Sequence, residues 1–407
     1  MKKFAIMGYG VVGSGVAEVF NKNKDLIEKR IGDRVELKYI LEIREPKEDD
    51  VNKSKFTKSF EDILNDEEIS VVCEVMGGIS FAYDFVKRLL EKGKSVVSSN
   101  KELVAKKGAE LLRLAKDNGC KFLFEASVGG GIPLLRPIHN SLLSDEILEI
   151  KGILNGTTNY ILTKMARENE SFEACLKKAQ ELGYAEKDPT ADIEGFDAVR
   201  KISILASMAF GKHIYPKYAE LEGITKISPE DSALAKALGG SIKLLGICKA
   251  PNEQGKCFVN VSPYIVLESN PLYAVNDVFN GVLVTGNVSD EVMFYGKGAG
   301  KMPTAAAVMG DAMEIMIGNT MDEEIWWEDS SENLVSDYKE EKYPRLVRVK
   351  FDREVLQRLK DEKEVKIMEN SLEGEIDFIL GEISEYALEG FLEGLGAIKL
   401  SSLKIMK

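Results

Sequence analysis

Three glycines near the start constrain this chain most. In FAIMGYGVVGSGVAEVF, Gly8, Gly10 and Gly13 stand at G-x-G-x-x-G spacing between an apolar run suited to a buried strand and a helical pattern. The first glycine permits a tight turn, the second lets backbone N–H groups approach a pyrophosphate, and the third lets helix and strand pack closely. Val11 and Val12 then open the helix, whose N-terminus carries partial positive charge. The start, Met1-Lys2-Lys3 before an apolar stretch, has the outline of a secretory leader, but the glycines and Glu18 interrupt it, so a strand is expected instead. No apolar stretch long enough to span a membrane follows.

Residues 35–126 alternate strand and helix patterns: VELKYILEI, FEDILND, ISVVCEVMG, FAYDFVKRLLEKG, SVVSSN, AKKGAELLRLAKDNG and CKFLFEA. This alternation predicts a Rossmann-type, doubly wound parallel sheet. Ligands of such sheets bind at the carboxyl ends of the strands, which brings Gly77, Gly78, Asn100, Lys101 and the 125–131 segment to the edge of the glycine loop. The segment YGKGAGKM at 295–302 lacks the first Gly and the Ser or Thr of a nucleoside triphosphate loop.

From about residue 133 the pattern changes to longer helices with strands near 147–154, 256–268 and 281–294. We therefore expect a dinucleotide-binding domain over 1–132, completed by a helix returning near 303–318, and an α+β substrate-binding and dimerisation domain over 133–302. A linker is expected over 319–342, and residues 343–407 run strand, helix, strand, strand, helix, strand, the ferredoxin-like order.

Composition narrows the chemistry. With 54 basic against 67 acidic residues and a formal charge of -13, nucleic acid is not an expected partner. Five cysteines without CxxC spacing fit neither a zinc module nor a disulfide framework and point to a reducing compartment, so a cytoplasmic address is expected. The two histidines, His139 and His213, lie far apart, leaving little for a histidine-based hydrolase or a His-rich metal site. Proton chemistry falls to Lys, Asp and Glu.

The segment GYAEKDPTADIEGFDAVRK concentrates such groups: Glu186, Asp188, Asp192, Glu194 and Asp197, then Arg200 and Lys201. One reading is a solvated acidic loop capping a helix over 196–210. The other is a pocket in which carboxylates bind an ammonium group while Lys201, four residues after Asp197, faces the same side. Lys101 follows a strand end, where surface and site placements are both common. Two lysines beside one another would lower one pKa toward a useful value.

GYGVVGSGV, CEVMGG, SSNKELVAKKG, EASVGGGIPLLRPI, LNGTTNYIL, GYAEKDPTADIEGFDAVRK and GKGAGKMPTAAAVMGD, in this order, resemble the motifs of homoserine dehydrogenase over roughly residues 4–318. The resemblance implies NAD(P)-dependent interconversion of L-homoserine and L-aspartate 4-semialdehyde, on the threonine, isoleucine and methionine branch of amino-acid biosynthesis. It implies Lys201 as the proton donor and acceptor, assisted by Lys101, with Glu186, Asp192, Asp197, Gly156, Thr157 and Tyr184 around the substrate. Cofactor contacts are implied at Gly8, Gly10, Val11, Val12, Gly13, Arg44, Asn100, Lys101, Gly298 and Gly300. A monovalent cation, Na+, is implied at Glu125, Val128, Gly130 and Ile132, where hard oxygens are available.

Either NADP or NAD is accepted in this reading. Arg44 leans it toward a 2′-phosphate, against Glu42 and Glu45. A homodimer is the expected assembly, with a homotetramer as the alternative. The last domain resembles the ACT regulatory fold, but Asp352-Arg353-Glu354-Val355-Leu356 replaces the usual Gly before Val-Leu, so amino-acid regulation and a purely packing role both stay open. Other readings are a sugar or inositol dehydrogenase, disfavoured because Ser99-Asn100-Lys101-Glu102 lacks the Pro of a Glu-Lys-Pro triplet, and a non-catalytic nucleotide sensor. A thiol-dependent semialdehyde dehydrogenase would need a cysteine in a turn, and Cys175 lies in a helical pattern.

Overall fold

The structure, a computed structural model, describes residues 1–318, 326–330, 332–368 and 373–407. Its first part comprises β1 (Lys2–Met7), α1 (Val11–Ile31), β2 (Val35–Leu41), β3 (Phe56–Thr57), α2 (Phe60–Leu64), β4 (Ile69–Glu74), α3 (Ser80–Glu91), β5 (Ser95–Ser98), α4 (Lys101–Asp117) and β6 (Phe122–Leu123). These strands form one parallel sheet in the order β3-β2-β1-β4-β5-β6. The order reverses between β1 and β4, and the glycine turn lies at that switch point. Both faces are covered: Phe4 and Ile6 pack with α1, while Ala5 and Met7 point to the α3 and α4 side. Burial on both faces is why these strands read as continuous apolar runs.

The chain continues through α5 (Leu135–Ser141), β7 (Ile147–Ile153), α6 (Gly156–Glu168), α7 (Phe172–Glu181), α8 (Thr190–Ile193), α9 (Phe196–Phe210), β8 (Glu220–Leu221), α10 (Pro229–Ala237), β9 (Gly240–Lys249), β10 (Phe258–Leu267), β11 (Phe279–Gly286), β12 (Glu291–Lys297) and α11 (Lys301–Ile317). The strand expected over 281–294 is a hairpin, β11 with β12, turning through Asp290 at φ 61°. Helix α11 returns to the first sheet and lies so close to α1 that a Cβ on Gly15 would sit 2.9 Å from the Lys301 carbonyl oxygen.

The last part contains β13 (Tyr343–Lys350), α12 (Arg353–Asp361), β14 (Lys366–Ile367), β15 (Glu375–Ile383), α13 (Glu385–Leu395) and β16 (Lys399–Met406). Its strand order, β16-β13-β15-β14, is ferredoxin-like. It does not stand apart: β16 pairs in parallel with β10 through Tyr264 and Lys404, so one ten-stranded sheet runs through both regions. Asp352, in the divergent loop, caps α12 by accepting from the Glu354 and Val355 N–H groups at 2.8 and 3.1 Å.

Of the expected linker, residues 319–325 and 331 lie outside the described residues. Trp327 within it is fully buried, and its indole N–H donates to His213 Nδ1 at 2.9 Å. His213 Nε2 in turn lies 3.0 Å from the Ala105 carbonyl. The histidine therefore clamps this segment onto α4, and burial pushes its pKa down. No helix among the described residues is long and apolar enough to cross a membrane.

Candidate active site

A cleft runs along the carboxyl edge of the parallel sheet in two connected parts sharing Val11 and Lys301. The outer part, about 1140 Å³, lies beside the end of β2 and is lined by Tyr9, Gly10, Glu42, Arg44 and Asn52. The inner part, about 730 Å³, holds Lys101, Gly156, Thr157, Tyr184, Glu186, Asp192, Asp197, Lys201, Gly298 and Gly300 together.

The glycine turn is sterically obligatory. Gly8 takes a φ of 92° against Met76, and a Cβ on Gly13 would lie 2.0 Å from the Gly8 carbonyl oxygen. Helix α1 begins without a side-chain cap or an acidic residue in its first turn, so its leading N–H groups, including those at Val11 and Val12, stay available for an anion.

Lys101 is placed by the cap that starts α4. The Asn100 side chain accepts from the Leu103 N–H at 3.1 Å and donates to the Gly78 carbonyl at 2.6 Å, which leaves Lys101 at the first helical position, facing the cleft. Behind it, Glu74 is fully buried and accepts from Ser98 Oγ at 2.5 Å and the Met76 N–H at 2.9 Å. Burial pushes that carboxyl up to about 7.

Lys201 and Asp197 share one face of α9, as their spacing predicts. Lys201 Nζ donates to Asp197 Oδ2 at 2.6 Å and to the Leu154 carbonyl at 2.7 Å. The other oxygen of Asp197 lies 2.6 Å from Lys101 Nζ. Asn155 caps α6 through its carbonyl oxygen and donates from Nδ2 to Asp192 at 2.7 Å and to Asp197 at 2.9 Å. Burial pushes the Asp197 carboxyl up, but the two ammonium groups overcome it and hold it well below the usual carboxylate range. Burial lowers Lys201, with Lys101 acting in the same sense against Asp197. Asp192 is raised by burial and by the charge of Asp197.

An ammonium has three donors, and Lys201 uses two of them on protein oxygens, leaving one. Such an arrangement can hold and release a proton beside the glycine turn. Asn155, the Leu154 carbonyl, Ser99 and Gly183 also belong to this site although sequence reasoning did not select them. For Asn155 a signal existed: an Asn before Gly-Thr-Thr reads as a helix cap. For a main-chain oxygen there is none.

Glu125, expected to offer a carboxylate to a cation, is held at the start of α5. Its oxygens accept from the N–H groups of Leu134, Leu135 and Arg136 at 2.5, 3.0 and 2.7 Å, capping α5. Arg136 also pairs with Asp311 at 2.6 Å, and the Glu125 N–H donates to Asp311 at 2.8 Å. The carbonyl oxygens of Val128, Gly130 and Ile132 accept no backbone hydrogen bond among the described residues. Arg44 lies in the outer groove, held by Glu42 through contacts of 3.1 and 2.9 Å.

A family model for homoserine dehydrogenase matches residues 133–313, and one for the homoserine dehydrogenase NAD binding domain matches residues 8–125. The chain belongs to the homoserine dehydrogenase family. It is 42% identical over 316 residues to homoserine dehydrogenase of Bacillus subtilis, covering 77% of this chain and 72% of that one. The Synechocystis enzyme is 40% identical over 318 residues, covering 77% and 73%. The solved structure of a homoserine dehydrogenase from Thiobacillus denitrificans superposes with a TM-score of 0.86 at 31% identity, over 100% of this chain and 98% of that one. A hyperthermophilic archaeal homoserine dehydrogenase mutant in complex with NADPH has a TM-score of 0.66 at 25% identity, over 79% and 99%. As a homoserine dehydrogenase the chain is an NAD(P)-dependent oxidoreductase interconverting L-homoserine and L-aspartate 4-semialdehyde in threonine, methionine and isoleucine biosynthesis.

Proposed function

We propose that Lys201 is the acid and base of this reaction, with Asp197 and Lys101 setting its protonation and Glu186 and Asp192 receiving the substrate's ammonium group. The observation that carries this reading is the Lys101–Asp197–Lys201 chain, with 2.6 Å at each contact, inside the cleft. NAD(P), lying over the glycine turn when bound, supplies or accepts the hydride. In the reducing direction the remaining Lys201 donor hydrogen-bonds the aldehyde oxygen and delivers a proton to it as that oxygen becomes an alkoxide. In the oxidising direction the neutral amine takes the hydroxyl proton. Asp197 stays ionised throughout and holds both lysines, while Asn155 bridges Asp192 and Asp197. Thr157, donating to the Tyr184 carbonyl at 2.7 Å, fixes the loop that carries Glu186 over the cleft.

Primary amines test the assignment: added ethylamine should restore part of the turnover lost in Lys201→Ala, with a dependence on amine basicity. Lack of rescue by any small amine, in a variant that still binds cofactor, would count against a proton-transfer role.

Both nucleotides enter the outer groove in this reading, but a 2′-phosphate must draw Arg44 away from Glu42, whose carboxyl the arginine lowers to about 2. A free 2′-hydroxyl can donate to Glu42 directly. A monovalent cation fits the 128–132 turn through its main-chain oxygens rather than through the Glu125 carboxylate. Thermal midpoints that rise with Na+ over a bulky organic cation would support it, and identical midpoints would oppose it.

A further inference from the structure

Lys243, on β9 opposite Tyr264 of β10, is fully buried and forms no ion pair with a carboxylate among the described residues. Its ammonium donates to the Val275 carbonyl at 2.6 Å, Asn276 Oδ1 at 3.0 Å and Asn159 Oδ1 at 3.1 Å. Three donors meet three acceptors, so the site is saturated by the protonated form. Burying a cation among neutral oxygens is unfavourable compared with an apolar side chain of the same length, so stability alone does not account for it.

What the ammonium organises is the turn from Val275 to Phe279. Asn159, on α6, donates from Nδ2 to the carbonyls of Val275 and Phe279 at 3.3 and 3.0 Å, tying both ends of the turn. Within it Asp277 takes a φ of 57°, and its N–H donates to Thr163 Oγ1 at 3.1 Å. The turn presses on the start of α6, where a Cβ on Gly156 would lie 2.7 Å from the Val278 carbonyl oxygen. Val278 and Gly156 both line the inner cleft. Gly156 follows Asn155, which holds Asp192 and Asp197, and Leu154, which holds Lys201.

We propose that Lys243 is a positioning residue for the substrate half of the cleft, setting the wall made by Val278 and Gly156 through the three oxygens it binds. The inference rests on the reading that substrate sits beside Lys201. It concerns a residue that touches neither substrate nor cofactor.

The test compares Lys243→Met, Asn276→Ala and Lys201→Ala by thermal midpoint, by NAD(P)H affinity from fluorescence titration, and by kcat and KM for L-homoserine. Lys243→Met should remain folded, bind cofactor within about twofold of the parent, and raise KM about tenfold with a smaller change in kcat. A folded Lys243→Met with parental KM overturns the proposal, and so does equal weakening of cofactor and substrate, which marks a general structural defect. Should Lys243→Met fail to fold, Asn276→Ala decides: it removes one acceptor at a half-buried position and should raise KM about threefold, whereas an unchanged KM refutes the role. Near-parental turnover in Lys201→Ala would instead overturn the underlying reading of the cleft, a result distinguishable from either Lys243 outcome.

Discussion

Lys101 Nζ and Asp197 Oδ1 lie 2.6 Å apart, and this pair joins the parallel-sheet half of the molecule to the helix that carries Lys201. Lys101 starts α4, against the cofactor groove, and Asp197 starts α9, in the substrate half. One carboxylate thus receives two cations from separate parts of the chain and couples the position of each to the charge of the other.

Lys101→Met removes a positive neighbour that helps hold Lys201 below its ordinary pKa. The inflection in the pH profile of kcat for homoserine oxidation, where the neutral amine is the active form, should therefore move to higher pH, with lower turnover at neutral pH. A downward shift would contradict the coupling.

Asp197→Asn acts in the opposite sense, because the carboxylate is what raises Lys201. Its inflection should move down. The variant also leaves a buried ammonium unpaired and should lose about 3 kcal/mol in chemical denaturation near neutral pH. Because the folded pKa of Asp197 is depressed, that stabilisation is complete above the ordinary carboxylate range and fades as pH falls from there through the folded value well below it, so parent and variant should converge in strong acid. A constant gap from neutral to strongly acidic pH would be the adverse result.

Glu42→Gln frees Arg44 from its carboxylate partner. Affinity for NADPH relative to NADH should rise on the order of tenfold, measured by fluorescence titration of both nucleotides. An unchanged ratio would remove Glu42 from nucleotide selection.

Gly13→Ala would put a Cβ 2.0 Å from the Gly8 carbonyl oxygen, a clash with backbone that no side-chain rotation relieves. Nucleotide binding should be lost, readable as loss of NADPH fluorescence enhancement; tight binding would show that the turn can move.

The glycine turn, the parallel sheet and the Asp197–Lys201 pair were legible because each rests on local spacing: fixed glycine positions, alternating elements, and residues four apart on a helix. Strand β9 was not, since GSIKLLGICK is buried almost throughout and interrupted by Lys243, Gly240 and Gly246, so neither a two-residue nor a helical period emerges. The union of β16 with β10 depends on residues far apart in the chain, and no local pattern encodes it. The surroundings of Glu125 were hidden for a related reason. A carboxylate near a glycine turn suits a hard cation, and only the arrival of α5 shows that it also accepts from three N–H groups.

In the proposed reaction the Lys201 amine carries the proton while hydride moves. Steady-state oxidation of L-homoserine by Lys201→Ala, with NAD(P)H affinity titrated in the same preparation, tests it most directly. The kcat should fall by on the order of 10² or more with nucleotide affinity preserved. Turnover close to the parent's, in a variant that binds nucleotide normally, would contradict it.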